Sequence, residues 1–457
     1  MKFRSLLAAA LLAVAHASAA PHIVFLLADD LGWSDVGWHG GDIATPNIDR
    51  LAASGAKLEQ FYVQPVCSPT RAALMTGRYP MRYGLQVSVI RPWAQYGLPL
   101  EERTLPQALK SAGYATAIVG KWHLGHFERA YLPTQRGFDR QYGHYNGALD
   151  YFTHERDGGL DWHRDDRALR EEGYATTLLG DEAVRLISAH DPATPLFLYV
   201  PFNAPHSPLQ APESYVERYR HIADSKRRAY AAMVHCLDDQ VGRITAALDQ
   251  RGMEKDTLII FSSDNGGPAP GRVTMNTPLR AGKGTIYEGG MRVCAFATWP
   301  GHIPAGTTNK EPMHAVDWYP TLVKLAGAPA SQKLAPDGLD LWPTLTQGAK
   351  SPHDAILLMG TTPGRAAVRM GDWKLLLNAS ETNAVEAATA DEKPVKENGV
   401  ELYNLADDIS ESKNLAGAQP QKVKELRARL DSFLKNAVPP GHPAAARAAA
   451  RKNAPAK

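Results

Sequence analysis

The sequence predicts an α/β protein with a mixed, mainly parallel sheet flanked by helices, and a smaller α+β region (an antiparallel sheet plus a helix) near the C-terminus. Three observations lead to this fold class. Short apolar runs alternate with amphipathic stretches of helical periodicity, which is typical of a parallel sheet covered on both faces. Two apolar runs end directly in acidic residues, as strands do at the functional edge of such a sheet. From about residue 351 the pattern changes to paired strands.

The elements of the larger region are predicted in chain order. The run HIVFLLA is the first strand, and Thr45, Pro46 and Gly55 mark the cap, the first turn and the end of the first helix. Helices and strands then alternate up to a strand that ends at Asp264 and Asn265. The later elements are predicted as helices over residues 104–114, 174–190 and 230–252, and as strands over residues 115–120, 195–202 and 257–265.

The C-terminal region has a different sequence pattern. Residues 366–379 and 400–408 have the pattern of antiparallel strands with a tight Gly-Asp turn, and residues 420–437 that of an amphipathic helix. The last residues are rich in alanine, proline and arginine, a composition that predicts disorder. We therefore divide the chain into a signal peptide at residues 1–20, a larger domain at 21–350, a C-terminal subdomain at 351–438 and a disordered tail at 439–457.

The first twenty residues have the pattern of a secretory signal peptide. Lys2 and Arg4 precede an apolar run, and small residues up to Ala20 form a cleavage site. The apolar run is too short to span a bilayer, and no later segment is apolar enough to do so. We therefore expect cleavage near Ala19 or Ala20 and a secreted or periplasmic protein without a membrane span.

Charge and cysteine content narrow the class of protein further. The 50 Lys and Arg residues against 48 Asp and Glu residues give a formal net charge of +2. A nucleic-acid-binding protein usually has a basic block, so we expect no nucleic-acid partner. Three cysteines cannot form a disulfide framework, and their spacing is not that of a metal site. Cys236 and Cys294 lie in apolar surroundings and are predicted to be buried.

Acidic and amide side chains follow two of the predicted strands. Asp29 and Asp30 come after the first strand, and Asp264 and Asn265 come after the last clear one. Because the carboxyl ends of parallel strands meet at one edge of a sheet, these side chains are expected to lie together. Oxygen ligands of this kind suit Ca²⁺ or Mg²⁺. Capping or loop roles would explain either pair alone, whereas the two pairs together favour a divalent metal site.

Cationic and imidazole side chains follow the other strands. Lys121 and His123 come directly after one predicted strand, His206 comes after the next, and Lys283 lies in a Gly-rich loop. Taken singly, each lysine could be an ordinary surface residue, and each histidine could be a loop residue with its hydrogen bonds satisfied. Beside a divalent metal they describe a site for an oxyanion ester, because lysines bind anionic oxygens and histidines transfer protons near neutral pH.

Cys67 lies at the predicted start of a helix, with Pro69 in its first turn and Arg71 beyond. The positive end of a helix would stabilise a thiolate there. The metal expected nearby, however, prefers oxygen ligands to sulfur. A thiolate is also not the usual nucleophile toward tetrahedral sulfate or phosphate. The residues alone therefore leave a mismatch between a soft nucleophile and a hard-oxygen site.

The sequence resembles the formylglycine-dependent (type I) sulfatase family. The stretch CSPTRAALMTGR at residues 67–78 matches the C-x-P-x-R signature of that family and its T-G-R extension. Other family stretches occur in the family order: LLADDLG, GKWHLG, APHSP, SDNGG and GKGTIYEGGMRV. The resemblance covers residues 22 to about 415, and within the family it is greatest to N-acetylgalactosamine-4-sulfatases of the arylsulfatase B type. It implies an alkaline-phosphatase-like fold.

The resemblance also implies how the mismatch at Cys67 is resolved. In this family a formylglycine-generating enzyme oxidises the motif cysteine to Cα-formylglycine (3-oxoalanine), and the hydrated aldehyde is the nucleophile. Its oxygen suits a hard metal as well. The implied ligands of Ca²⁺, with Mg²⁺ as the alternative ion, are Asp29, Asp30, Asp264, Asn265 and modified residue 67.

The remaining site residues take their implied roles from the same resemblance. Lys121 and Lys283 bind the sulfate oxygens and offset charge in the transition state. Arg71 holds the hydrated aldehyde, with help from His123. His206 gives a proton to the leaving alcohol, and His123 acts as the base when sulfate is expelled. The implied reaction is the hydrolysis of sulfate monoesters, that of a sulfuric ester hydrolase.

The substrate is less closely defined. The resemblance implies a sulfated sugar such as N-acetylgalactosamine-4-sulfate of glycosaminoglycans, and broad arylsulfatase activity is the alternative. A phosphodiesterase or phosphonate hydrolase of the same superfamily is the alternative reaction, and a glycan-binding protein without activity is the alternative class. Several aromatic and histidine side chains in loops are candidates either for a sugar pocket or for packing. They are Trp33, Trp38, His39, Trp93, Tyr96, His144, Tyr145, Tyr151 and His154.

Overall fold

The computed structural model describes residues 20–381 and 399–439. The predicted signal peptide, except Ala20, and the predicted tail beyond residue 439 lie outside these ranges. The helices are α1 Pro46–Ala53, α2 Cys67–Thr76, α3 Leu105–Lys110, α4 Ala175–Ala189, α5 Glu213–Val216, α6 Ser225–Gln250, α7 Glu288–Met291, α8 Trp318–Leu325, α9 Trp342–Gln347 and α10 Pro420–Leu434.

The strands within the same ranges include several short ones at sheet edges. They are β1 His22–Ala28, β2 Ala56–Leu58, β3 Phe61–Tyr62, β4 Ala115–Lys121, β5 Arg140–His144, β6 Glu155–Arg156, β7 Gly159–Leu160, β8 His163–Arg164, β9 Arg167–Ala168, β10 Leu196–Pro201, β11 Thr257–Ser263, β12 Ala295–Thr298, β13 Thr307–Asn309, β14 Met313–His314, β15 Ile356–Met359, β16 Ala366–Met370, β17 Trp373–Leu377 and β18 Val400–Asn404.

A ten-stranded mixed sheet forms the centre of the molecule, in the order β13-β2-β12-β11-β1-β10-β4-β5-β8-β9. Its middle strands, from β11 to β5, are all parallel. In register, Phe25 of β1 lies between Tyr199 of β10 and Ile260 of β11. The predicted fold class, a mainly parallel sheet flanked by helices, is confirmed.

Alternate residues of β1 face two separate cores. Phe25 and Leu27 belong to the core on the side of α3 and α8, whereas Val24 and Leu26 belong to the core on the side of α4 and α6. All residues of β1 are buried. A strand covered on both faces in this way reads as a continuous apolar run, which is why its sequence shows no polar alternation. No helix in the described ranges combines the length and the apolarity that crossing a membrane requires.

Most predicted elements occur close to their predicted positions, with two corrections at helix ends. The side chain of Thr45 does not cap α1. Its Oγ1 accepts a hydrogen bond from the Gly37 backbone N–H and donates to Asp49 instead. The helix at residues 230–252 begins earlier than predicted, at Ser225, because the Asp224 side chain accepts a bond from the Arg227 backbone N–H at 2.8 Å.

The C-terminal region forms a separate antiparallel sheet in the order β15-β16-β17-β18. The predicted Gly-Asp turn joins β16 to β17, with Gly371 at a φ of 55°. Leu426 and Leu430 of α10 pack on one face of this sheet. The other face packs against Ile286 and Tyr287, which belong to the larger part of the chain. The division at residue 350 stays a prediction.

A fully buried cluster of charged side chains joins the C-terminal sheet to α7. The Lys374 Nζ lies 2.8 Å from Glu288 Oε1 and 3.0 Å from Glu411 Oε1, and none of the three side chains is exposed. The second oxygen of Glu411 accepts the Glu288 backbone N–H at 2.6 Å. Buried carboxylates need a cation and hydrogen bonds of this kind, so the three residues act as one unit.

We expect Lys374→Met to destabilise the protein strongly, because it leaves Glu411 buried without its cation and leaves Glu288 with only the more distant Arg292, at 3.4 Å. The free energy of unfolding from urea denaturation should fall by about 3–5 kcal/mol. The control is Lys350→Met, which removes an exposed lysine paired with Glu311. This substitution should leave the midpoint of urea denaturation unchanged. Equal midpoints for the two variants would contradict this interpretation of the cluster.

Candidate active site

Four adjacent parallel strands end at one edge of the large sheet, and each delivers functional groups there. β1 leads into Asp29 and Asp30, and β11 leads into Asp264 and Asn265. β4 ends at Lys121, two residues before His123, and β10 is followed by the loop that carries His206. The structure therefore brings the strand-end residues of the sequence prediction to one place.

The acidic residues at this edge are buried and share one network. Asp29, Asp30 and Asp264 are each at most 3% exposed. The Asp264 Oδ1 accepts the backbone N–H of Asp30 at 3.4 Å, and Asn265 Nδ2 donates to Asp30 Oδ1 at 2.7 Å. Asp30 has a φ of 69°, in the left-handed region that aspartate tolerates better than most residues. This turn aims consecutive carboxylates into the same small space.

Three cations lie among these carboxylates. The Arg71 guanidinium reaches Asp29 at 3.0 Å and Asp264 at 2.8 Å. The Lys121 ammonium is paired with Asp29. The Lys283 ammonium lies 2.7 Å from Asp30 Oδ1. Arg71 also donates to the Lys121 carbonyl at 2.9 Å, which holds the motif helix against β4.

The ionisation of the carboxylates follows from burial and from these neighbours. Burial would raise the pKa of Asp29, but Lys121, His206 and Arg71 together hold it well below its usual range. Burial and the adjacent Asp29 charge raise the pKa of Asp264 to about 6, against the pull of Arg71. Asp29 and Asp264 contact the same Arg71 guanidinium, but the pKa of Asp264 is much higher than that of Asp29.

Cys67 is the first residue of α2, as the position of Pro69 predicted, and it is 2% exposed. Its Sγ lies 3.6 Å from Asp29 Oδ1. Burial and the Asp29 charge raise the pKa of the thiol to about 12, so an unmodified Cys67 is a neutral thiol. The arrangement opposes a thiolate nucleophile. Cys236 and Cys294 are buried in the core, as predicted.

The donor set fits a hard divalent cation. Four possible ligand atoms lie within 4.8 Å of one another, one from each of Asp29, Asp30, Cys67 and His206. Asn265 Oδ1 is buried and has no hydrogen-bond partner among the described residues. An orphaned amide oxygen beside carboxylate oxygens is what a Ca²⁺ or Mg²⁺ ion would complete. The sulfur of Cys67 and the imidazole nitrogen of His206 are the two donors in this set that a hard cation does not prefer.

His123 is buried with one ring nitrogen engaged and the other unpartnered. Its Nε2 lies 3.0 Å from the Ile90 carbonyl oxygen, and because a carbonyl only accepts, Nε2 carries the proton. The buried Nδ1 has no partner among the described residues. Burial, together with the Lys121 and Arg71 charges, holds the pKa of His123 well below its usual value. Ser68 donates to the His123 carbonyl at 2.9 Å and so ties it to α2.

His206 lies beside Asp30 of the carboxylate cluster. Its Nδ1 is 2.6 Å from the Ser207 carbonyl oxygen, which places a proton on Nδ1. Its Nε2 faces Asp30 Oδ2 at 3.7 Å. Burial and the Lys283 charge lower the pKa of His206 to about 4, so the free imidazole is neutral at pH 7.

A cavity of about 440 Å³ opens onto this cluster. The sequence analysis did not single out most of its wall, which comes from the loops before α3 and after β5. Loop residues that are distant in sequence form that wall, so no motif marks it. The lining residues are Asp30, Cys67, Val89, Ile90, Arg91, Pro92, His123, Gly147, Ala148, Arg156, His206, Ser207, Pro208, Pro268 and Lys283.

None of the nine aromatic and histidine candidates for a sugar pocket lines this cavity. Most of them pack against other rings: Trp33 stacks on His39 at 4.1 Å, and His154 stacks on Trp162 at 4.5 Å. The packing alternative is therefore correct for the buried members of the set. Trp93 is the exception, being 74% exposed.

Comparison with known proteins agrees with the geometry. The sequence profile of the family described as Sulfatase matches residues 21–328. Arylsulfatase J of Mus musculus is 40% identical over 462 residues, covering 93% of this chain and 77% of that protein. Mouse N-acetylgalactosamine-6-sulfatase is 37% identical over 379 residues, covering 78% of this chain and 71% of that protein.

A solved structure shows the same fold over nearly the whole chain. The complex of Ps i-CgsB with k-i-k-neocarrahexaose has a TM-score of 0.84 and 32% identity, and the match covers 93% of this chain and 94% of that one. The chain belongs to the sulfatase family, and its activity is that of a sulfuric ester hydrolase.

We expect Gly147→Ala to impair sulfate ester hydrolysis without unfolding the protein. A Cβ at this position would lie 2.5 Å from Cε1 and 2.6 Å from Nε2 of His123, so the ring must move. A displacement of this size should lower kcat/KM by about 100-fold. Gly417→Ala is the control, because a Cβ there meets open space. Unchanged kinetics in Gly147→Ala would show that the position of His123 is unimportant.

Proposed function

We propose that this sulfatase cleaves the S–O bond of sulfate monoesters on a sulfated saccharide, with residue 67 converted to Cα-formylglycine and Ca²⁺ as its cofactor. The observation that carries the proposal is the setting of Cys67. It is a buried, neutral thiol at a helix start, surrounded by oxygen ligands and cations. The family signature and this setting fit a cysteine that is a precursor of an oxygen group.

The residues that would hold the metal are Asp29, Asp30, Asp264, Asn265 and modified residue 67. A bound divalent cation would supply Lewis acidity toward a sulfate oxygen and stabilise negative charge at the oxygen of residue 67. Arg71 contacts two of these carboxylates and lies on the same helix as residue 67, so it orients that residue toward the cation.

Lys121 and Lys283 would bind the sulfate oxygens. In the structure each ammonium is paired with one carboxylate, Asp29 or Asp30. Once those carboxylates have a metal as partner, the lysines can turn part of their charge toward the ester. Each presents three N–H donors, enough to contact a carboxylate and a sulfate oxygen together. Their charge offsets the charge that develops as the S–O bond breaks.

The two histidines present different atoms for proton transfer. In His206 the Ser207 carbonyl holds the proton on Nδ1, so Nε2 is the atom that would first take up a proton and then, as part of the imidazolium, pass it to the leaving alcohol. The negative charge of a bound sulfate ester would favour that protonated form. In His123 the proton on Nε2 is held by the Ile90 carbonyl, so Nδ1 is the basic atom. That nitrogen would accept a proton when sulfate departs from residue 67 and the aldehyde forms again.

The relatives support a saccharide as the substrate. They include N-acetylgalactosamine-6-sulfatases, and a solved relative holds a neocarrahexaose. N-acetylgalactosamine-4-sulfate is the specific substrate that the sequence resemblance favours, and an aryl sulfate with no charge besides its sulfate serves as a minimal one. Maturation by a formylglycine-generating enzyme, and export after removal of the signal peptide, belong to the same proposal.

We expect Cys67→Ala to abolish sulfate release from p-nitrophenyl sulfate and from 4- and 6-sulfated N-acetylgalactosamine, because no oxygen nucleophile can form at residue 67. Cys236→Ala, which truncates a buried cysteine in the core, should keep most of the activity. The assay includes bis-p-nitrophenyl phosphate. Faster turnover of that diester than of every sulfate would favour a phosphodiesterase and contradict the proposal.

We expect Ca²⁺ to raise the melting temperature of the protein, since it binds the folded state alone. Asn265→Ala removes the orphaned amide oxygen and should shift the Ca²⁺ dependence to higher concentration. It also removes the hydrogen bond to Asp30, so the metal-free melting temperature should fall, and the Ca²⁺ effect is measured relative to each protein's own metal-free value. Thermal unfolding at several Ca²⁺ concentrations measures both. Identical Ca²⁺ dependence in the two proteins would exclude Asn265 as a ligand.

A further inference from the structure

The outer part of the active-site cavity carries more positive charge than one sulfate ester needs. At the inner end, Lys283 and Asp30 are nearly buried and paired with each other. Arg91 and Arg156 also line the cavity, and both are partly exposed. Of the charged residues that line it, only Asp30 is acidic. The wall of the cavity therefore becomes cationic toward the solvent.

Arg156 is presented by a tight hairpin. It is the last residue of β6, and the two-residue loop that follows has positive φ at both positions, 51° at Asp157 and 81° at Gly158. This is the geometry of a type I′ turn, the most compact connection between two strands. The Arg156 Nε donates to Asp157 Oδ2 at 3.2 Å. Because a guanidinium has five N–H donors, that single exposed bond leaves donors for a ligand.

Arg91 comes from a different segment, which is fixed to the catalytic groups through its neighbour Ile90. The Ile90 carbonyl accepts from His123, and the Ile90 N–H donates to Ser68 Oγ at 3.0 Å. Two residues beyond Arg91, the indole of Trp93 is 74% exposed. Trp93 does not line the cavity, so its indole would stack only on a sugar ring that extends beyond the cavity. The segment thus offers an anion-binding group and an apolar face together.

We propose that Arg91 and Arg156 bind a second anionic group of the substrate, a carboxylate or another sulfate on the sugar next to the scissile ester. The inference rests on the proposed function and makes the substrate an oligosaccharide that carries an anionic group besides the scissile sulfate. Guanidinium groups match both anions because they form paired N–H···O bonds. The cavity, at about 440 Å³, is far larger than a sulfate group and is within the range of small-molecule sites.

The test compares substrates that differ only in the second charge. Hexuronate-N-acetylgalactosamine disaccharides with one sulfate, at position 4 or 6, are assayed beside their carboxyl-reduced counterparts. The wild-type enzyme should prefer the acidic disaccharide by about tenfold or more in kcat/KM, the contribution of a charge-assisted bond. A carboxyl-reduced disaccharide with a second sulfate shows whether sulfate serves as well as carboxylate.

The variants are Arg156→Gln, Arg91→Gln and the double substitution. The preference for the acidic disaccharide should fall to about threefold or less in the double variant, and Arg156→Lys should retain part of it. Added salt should weaken the preference in the wild-type enzyme and have little effect in the double variant. Arg251→Gln is the control, because this exposed arginine bonds the His190 carbonyl away from the cavity.

The outcomes separate the inference from the proposed function. If wild-type enzyme hydrolyses p-nitrophenyl sulfate but treats acidic and reduced disaccharides alike, the function stands and the second anion site is wrong. A preference that persists in the double variant would also overturn the assignment to Arg91 and Arg156. Failure of the wild-type enzyme to release sulfate from any of these compounds would instead contradict the proposed function.

Discussion

The burial of three carboxylates at one sheet edge is the constraint on which the site depends. Asp29, Asp30 and Asp264 are removed from water where parallel strands end, and each would be strongly destabilised without a compensating charge. The structure places Arg71, Lys121 and Lys283 among them. Each of these cations comes from a different element, so the ion pairs join α2, β4 and the loop before α7 around β1 and β11. The groups that a sulfate ester would meet are thus the groups that hold the edge together.

The C-terminal sheet extends this network, because it holds the loop that carries Lys283. Arg280 donates to the Glu411 carbonyl at 2.7 Å, and Thr361 donates to the Gly284 carbonyl at 3.3 Å. Beyond the loop, Lys374 is buried between Glu288 and Glu411. Contacts on both sides of Lys283 therefore come from residues after 350, and the position of this lysine depends on the packing of the two sheets. This explains why a small second sheet accompanies the large one.

Strand ends and the motif helix were predictable from the sequence because their signals are local. An apolar run followed by two acids marks the end of β1, and Pro69 marks the first turn of α2. The cavity wall was not predictable, because it depends on contacts between distant loops. Gly147 matters through its approach to His123, and Arg156 matters because its hairpin lines the same cavity as Arg91. The loop aromatics show the same limit, since the stacking of Trp33 on His39 has no local sequence signal.

The central claim is that the working group at residue 67 is an aldehyde and not a thiol. It is tested most directly by preparing the protein with graded amounts of a formylglycine-generating enzyme. The aldehyde fraction of the residue 67 peptide is measured by mass spectrometry, and sulfate release is measured on the same samples. We predict that specific activity rises in proportion to the aldehyde fraction and extrapolates to zero when no aldehyde is present. Full activity in samples whose Cys67 is unmodified would contradict the claim.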